Sequence, residues 1–269
     1  MISRRGLLGA AASAAVVGFA PLGRGWITEA EAATTPSFAS TPPLDGELAV
    51  DAAARQAVAT DLGNIVRHEP DAVLRPGSTR DISAMIRFCR AHRIPVATRG
   101  QAHTTYGQGL SGGLVIEMRH LNRIHSLGAR LAEVDAGIHW MDLAKAAYGP
   151  TSPRLTPPVL TGYTGLTVGG TLSVGGIGGM VGGLRTGLQV DHVRELEVVT
   201  GTGAVERCSR HRLPDLFKAV LGGLGQCGVI TRATIELVPA KERARNFAWP
   251  PNRSSRTPAI WTTCSRSTI

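Results

Sequence analysis

The chain has 269 residues and a mass of 28.2 kDa, with 43% apolar and 18% charged residues. That suits one or two domains with a real core and excludes a disordered chain. Aromatics at 4% argue against a base-stacking platform, and four scattered cysteines (Cys89, Cys208, Cys227, Cys264) without a C-x-x-C pair exclude a zinc ribbon and leave no metal site to expect. The net charge of +9 is largely a tail property, with +1 in residues 1–34, +5 in 241–269 and +3 between. Nucleic acid is therefore not read as a partner.

The chain opens with Ser3-Arg4-Arg5-Gly6-Leu7-Leu8. A small-apolar run follows to Ala20, and then Ala30-Glu31-Ala32, an A-x-A cleavage pattern. Residues 1–33 resemble a twin-arginine export signal, which implies a periplasmic or extracellular protein. The apolar run is too short for a membrane span, so no stable span is expected after signal removal. A buried N-terminal helix is the other reading. Residues 34–46 read as a Ser/Thr/Pro linker.

Residues 48–66 read as a helical lead-in, and 71–75 as a strand closed by Pro76-Gly77. Ser78 then predicts an N-cap with Asp81 as its partner three residues on, and Ile82, Met85, Ile86 and Cys89 mark an apolar helix face. Strands are expected at 94–98 and 113–118, so 71–118 is a β-α-β-loop-β unit. Farther on come a strand at 132–136, a helix at 141–148, and a stretch from 162 to 187 with eleven glycines. Residues 193–200 and 203–208 predict a hairpin, 214–221 a short helix and 228–238 a strand. From about Asn246 the sequence loses any apolar period. A disordered tail and a shifted reading frame both account for residues 246–269.

Three segments could hold a ligand. Gly223-Leu224-Gly225-Gln226-Cys227-Gly228 matches G-x-G-x-x-G, but a helix precedes it and a strand follows. The dinucleotide fingerprint needs the reverse, so an NAD-type site is rejected in favour of a helix cap leading into a strand. Residues 99–108, Arg99-Gly100-Gln101-Ala102-His103-Thr104-Thr105-Tyr106-Gly107-Gln108, could turn several N–H groups inward as an anion nest. Residues 166–179 are dense in glycine, and Gly169, Gly170, Gly175 and Gly176 are expected to bring bare backbone against a ligand. A glycine-rich wall without a ligand stands open beside that reading.

Taken together and in order, these segments resemble the FAD-binding domain of the vanillyl-alcohol oxidase/p-cresol methylhydroxylase superfamily, and the cytokinin dehydrogenases most. The resemblance rests on Asp61-Leu62-Gly63-Asn64-Ile65, Leu74-Arg75-Pro76, Arg99 to Gln108, Leu166 to Ser173, and Asp215 to Thr231. It implies an α+β fold of two α/β subdomains over residues 47–245, with FAD held between them. The family histidine of R-G-x-x-H carries the flavin covalently through its 8α-methyl carbon, and His103 stands there. Thr104 replaces the family serine and Ala102 the family glycine. The resemblance further implies flavin contacts from Thr98, Arg99, Gly100, Gln101, Ala102, Thr104, Gln108, Gly162, Thr167, Ser173, Ile177 and Ile230. No cysteine lies in 156–165, so a single covalent bond is expected.

Two departures bear on activity. Gly162 occupies the position of the cytokinin dehydrogenase aspartate that takes a proton from the substrate amine. The likeness also ends near Arg245, so the lid over the substrate face is expected to be missing. The expected activity is oxidation of a small organic substrate, with hydride passing to the flavin and oxygen or another acceptor reoxidising it. A flavin-binding remnant and a sugar or polyol oxidase are the alternatives. No catalytic acid or base is assigned: His139, Asp142, Tyr163, His192 and His211 are read as structural or exposed.

Overall fold

A computed structural model describes residues 16–20, 25–28, 38–149, 154–178 and 186–240. The twin-arginine pair, residues 179–185 and the stretch from Asn246 onward lie outside the described residues. The chain divides into a unit ending at Pro239 and a second one, residues 240–269. Near the N-terminus, β1 (Val16–Ala20) and β2 (Gly25–Thr28) pair antiparallel.

The first subdomain is a four-stranded sheet in the order β3 (Glu47–Ala49), β4 (Ala72–Arg75), β6 (Leu114–Glu117), β5 (Val96–Arg99). The last three run parallel, and β3 is antiparallel to β4. Side chains alternate between two buried faces. Ala72, Leu74, Leu114 and Ile116 join the main core, while Val73 and Val115 pack with Ala49, Ala54 and Val58 in a second, smaller one. The central strands are therefore apolar on both sides, as a covered parallel sheet requires.

Helix α1 (Ala52–Ala57) is shorter than the lead-in expected from the sequence. Asp51 caps it, accepting from the Ala54 N–H at 3.0 Å. The chain leaves the helix at Val58, and five residues on Gly63 passes against the Thr105 backbone, where a Cβ would stand 2.6 Å from the Thr105 Cα. Helix α2 (Thr79–Ala91) starts at Ser78 as predicted, and buries Ile82, Met85 and Cys89. The Asp81 carboxylate does not close a capping box. It reaches past the cap to the N–H groups of Asp45, Gly46 and Gly77, each at 2.8 Å. Residues 38–46, read as linker, run along this subdomain. The Phe38 ring lies 5.9 Å from that of Phe88, and Leu44 packs against the core.

The second subdomain is an antiparallel five-stranded sheet. Its order is β11 (Val205–Ser209), β10 (Val193–Val199), β12 (Val229–Glu236), β8 (Leu131–Asp135), β7 (Ile124–Leu127). One face enters the main core. On the other, Glu133 pairs with Arg207 at 3.1 Å and with Arg232 at 3.4 Å, and Arg207 pairs with Glu195 at 2.7 Å. Helices α3 (Trp140–Tyr148), α4 (Val168–Leu172) and α5 (Pro214–Val220) complete it. A two-residue ladder joins β9 (Leu155–Thr156) to β13 (Val238–Pro239). The whole is the α+β, two-subdomain fold expected from the sequence, with one core cluster drawing on both sheets. No helix among the described residues is long and apolar enough to cross a membrane.

Candidate functional site

A cleft of about 520 Å³ lies between the subdomains. Three stretches of backbone form its walls: the loop after β5 (98–104 and 108–110), the 166–174 segment around α4, and the 224–229 turn leading into β12.

The loop is held from behind by Asp61, which is 5% exposed. One carboxylate oxygen accepts from the Thr104 hydroxyl and the Gly107 N–H, both at 2.8 Å, and the other from the Gly63 N–H at 3.1 Å. Burial pushes the Asp61 carboxyl up, but the Gly107, Thr104, Gly63 and Asn64 donors outweigh it and hold the group below its ordinary value. The Ala102 and Thr104 carbonyls accept from the Leu62 and Gly63 N–H groups at 3.0 and 3.1 Å. These two carbonyls are thus spent on the protein, whereas the N–H groups of Gln101, Ala102, His103 and Thr104 donate to no acceptor among the described residues. Ala102 sits at φ +51°, the left-handed region that the family glycine enters without cost.

The Arg99 guanidinium lies beneath this loop, donating to the Val58 and Thr60 carbonyls at 2.6 and 3.1 Å. Burial pushes it below its ordinary value, against the pull of Glu117 and Asp61. His103 is exposed, with its ring 5.6 Å from the Tyr163 ring.

The glycine-rich wall begins where β8 ends. The Val168 N–H donates to the Ile138 carbonyl at 2.9 Å, and the Gly169 N–H to that of Ala136 at 2.7 Å. Trp140, buried to 1%, donates its indole N–H to the Thr171 hydroxyl at 2.7 Å and locks α3 to α4. A Cβ on Gly169 would lie 2.8 Å from that of Ala136, so this glycine serves protein packing. Gly175 and Gly176 lie outside the cleft lining. They form a positive-φ turn, and Gly176 passes against Gln189. Only Gly170 matches the expectation of bare backbone turned to the cleft. Its Cβ would stand 2.8 Å from the Thr167 hydroxyl, which would have to turn aside, and Gly201, also on the lining, has no atom within 4 Å of its Cβ.

Of the residues expected to contact the ligand, Thr98, Arg99, Gly100, Gln101, Ala102, His103, Thr104, Gln108, Thr167 and Ser173 line the cleft. Gly162, Ile177 and Ile230 do not. Gly162 and Ile177 are exposed, Ile177 to 75%, and Ile230 is a core residue of β12. Several lining groups are already engaged. Ser173 donates its hydroxyl to the Gly169 carbonyl at 2.8 Å, and Gln108 accepts from the Tyr106 N–H at 3.2 Å.

The 224–229 wall was missed. The reversed order of helix and strand is as expected, so the segment is no NAD-type site. Yet tertiary packing turns Leu224, Gly225 and Cys227 into the cleft. The Leu224 N–H bonds the Ser173 carbonyl at 2.8 Å, which ties this wall to α4. The available signal was glycine density, since Gly222 and Gly225 both take positive φ.

The donor set suits a diphosphate ester with a flat ring system. Unpaired backbone N–H groups stand together in one loop, and Gly170 and Gly201 leave side-chain space along the rest of the lining. An α+β domain with such a cleft between its subdomains is a nucleotide-cofactor domain. The profile of the FAD binding domain family matches residues 70–209, just over half of the chain, and the chain belongs to that family. It is 45% identical over 188 residues to an uncharacterized oxidoreductase, ORF5 in the fasciation locus, of Rhodococcoides fascians, covering 70% of this chain and 42% of that protein. It is 43% identical over 208 residues to cytokinin dehydrogenase 7 of Oryza sativa subsp. japonica, covering 74% and 39%. With cytokinin dehydrogenase 2 of Arabidopsis thaliana it shares 42% over 208 residues, covering 76% and 40%. The chain thus spans about two fifths of the length of these relatives.

Proposed function

We propose that the chain is the flavin-holding part of an exported oxidoreductase, with FAD in the cleft joined to the protein at His103. The row of unpaired N–H groups from Gln101 to Thr104, ending beside an exposed imidazole, carries this reading. The N–H groups would take the diphosphate, with Arg99 supporting their loop from beneath, Gly170 and Gly201 would admit the extended cofactor, and the His103 nitrogen would bond the flavin 8α-methyl carbon. When bound, FAD supplies the acceptor for hydride from a small organic substrate. The chain's own residues position it, with Asp61 holding the loop and Trp140 holding α4.

Gly162 offers no carboxylate to a substrate amine, which counts against a cytokinin as the substrate. Anaerobic mixing of flavin-loaded protein with an isopentenyl-type cytokinin should leave the flavin absorbance unbleached. Covalent attachment is tested by acid precipitation. The yellow colour should stay in the pellet of the wild-type protein and move to the supernatant for His103→Ala, and wild-type protein that releases all its flavin refutes the bond. Export by the twin-arginine route is supported by Arg4-Arg5 and the short apolar run. Replacing both arginines by lysine should retain the protein in the cytoplasm.

A further inference from the structure

His139 is the N-cap residue of α3, yet its side chain caps nothing. The ring is used elsewhere. Its Nε2 meets the Gln101 side-chain amide, and its Nδ1 lies 3.3 Å from the Asp142 carboxylate, one turn along α3. The backbone that carries the ring is rigid. His139 forms an isolated antiparallel bridge with Thr167, between the Val168–Ile138 and Trp140–Leu166 backbone bonds at 2.9 and 3.1 Å. Gln101 comes from the other subdomain. It follows Gly100, which crosses Thr167 so closely that a Cβ would stand 2.0 Å from the Thr167 hydroxyl.

With the imidazole neutral, one tautomer fits both neighbours. A carboxylate only accepts, so the imidazole proton faces Asp142 from Nδ1. Nε2 is then an acceptor, and Gln101 must offer it the amide N–H rather than the amide oxygen. The oxygen becomes the end left for a ligand donor. A free glutamine amide could present either end, whereas this one is set by a ring on the opposite subdomain.

We propose that Gln101, His139 and Asp142 form a positioning relay that joins the two subdomains at the cleft. The relay fixes the polarity of the Gln101 amide so that its oxygen accepts from a hydroxyl donor, such as a ribityl hydroxyl of FAD. The proposal rests on the FAD reading. His139 and Asp142 act through Gln101 and need not touch the cofactor.

The test uses the full chain with His103→Ala as background, so that all flavin is held reversibly, and follows FAD titration by quenching of flavin fluorescence. His139→Leu removes the acceptor and should weaken FAD binding about tenfold, the scale of one lost hydrogen bond. His139→Gln can place an amide oxygen where Nε2 stands and should restore the affinity, with a melting temperature equal to that of His139→Leu in the absence of FAD. Nitrogen NMR of the imidazole should show the proton on Nδ1. Equal FAD affinity in the Leu and Gln variants, or a proton on Nε2, overturns the relay. Failure of the cofactor reading is distinct: then the background protein itself takes up no FAD, and the proposal falls with it.

Discussion

Asp61→Ala is the perturbation that bears most directly on how the loop is held. Three donors converge on that carboxylate, but they do not count equally. The Gly63 N–H also reaches the Thr104 carbonyl at 3.1 Å and keeps a partner when the carboxylate is gone. The Thr104 hydroxyl and the Gly107 N–H, both on one oxygen at 2.8 Å, lose theirs. Two charge-assisted bonds at about 1.5 kcal/mol each give a loss of about 3 kcal/mol. If the loop must be ordered to bind FAD, that is about a hundredfold in affinity. Asp61→Asn separates charge from geometry. Its amide oxygen can take the place that serves both donors, so the loss should fall to about 1 kcal/mol. The wild-type carboxyl is held below its ordinary value in the folded protein. Its contribution is therefore complete above the unfolded carboxylate range, about pH 4, and is lost as pH falls through the lower folded value. Urea unfolding from pH 7 down to pH 3 and FAD titration at pH 7 read both effects. An Asp61→Ala protein that matches wild type in unfolding midpoint and FAD uptake refutes the bracing role of Asp61.

Three further outcomes follow from the geometry. Ala102→Gly relieves a left-handed alanine worth about 1–2 kcal/mol and returns part of it as chain entropy, so urea unfolding should show a net gain of about 0.5–1 kcal/mol. A loss would place residue 102 elsewhere in φ. Gly170→Val puts a branched side chain into the cleft and should abolish FAD uptake without unfolding the protein. Gly112→Val, at an exposed position with no atom within 4 Å of its Cβ, should take up FAD normally, and equal uptake by both variants would remove Gly170 from the site. Burial pushes the Cys89 thiol up to about 12, and burial with Glu195 and Glu206 pushes Cys208 to about 11. Iodoacetamide at pH 8 should therefore spare both and label exposed Cys227 on the cleft wall, with FAD protecting it. Peptide mapping by mass spectrometry reads these three thiols separately.

Local chemistry written into consecutive residues was legible in the sequence. Ser78 followed by Ile82, Met85 and Cys89 is both a cap and an apolar face, and α2 forms where they predict it. The same holds for β4 and β6, whose apolar runs need both faces covered, and for the β10–β11 hairpin, where Gly203 supplies φ +78°. The family motifs around His103 and Thr167 were equally plain, since each is a run of consecutive residues. Elements that take their stability from neighbours were not legible. The edge strand β7 is mostly exposed and shows no alternation, and β3 has three residues. Helix α4 contains two glycines and stands because Trp140 and Ala136 hold it.

The site divides along the same line. The sequence by itself determined which loop carries the imidazole and the bare backbone, because those depend on residue type and spacing. The tertiary structure alone decided that Asp61, forty-three residues before Thr104, braces that loop. It also turned the reversed glycine segment at 224–229 into a third wall, and set His139 against Gln101 from the other subdomain. Each of these is a contact between segments distant in the chain. Its geometry comes from how the two sheets share one core, and no local propensity encodes that packing.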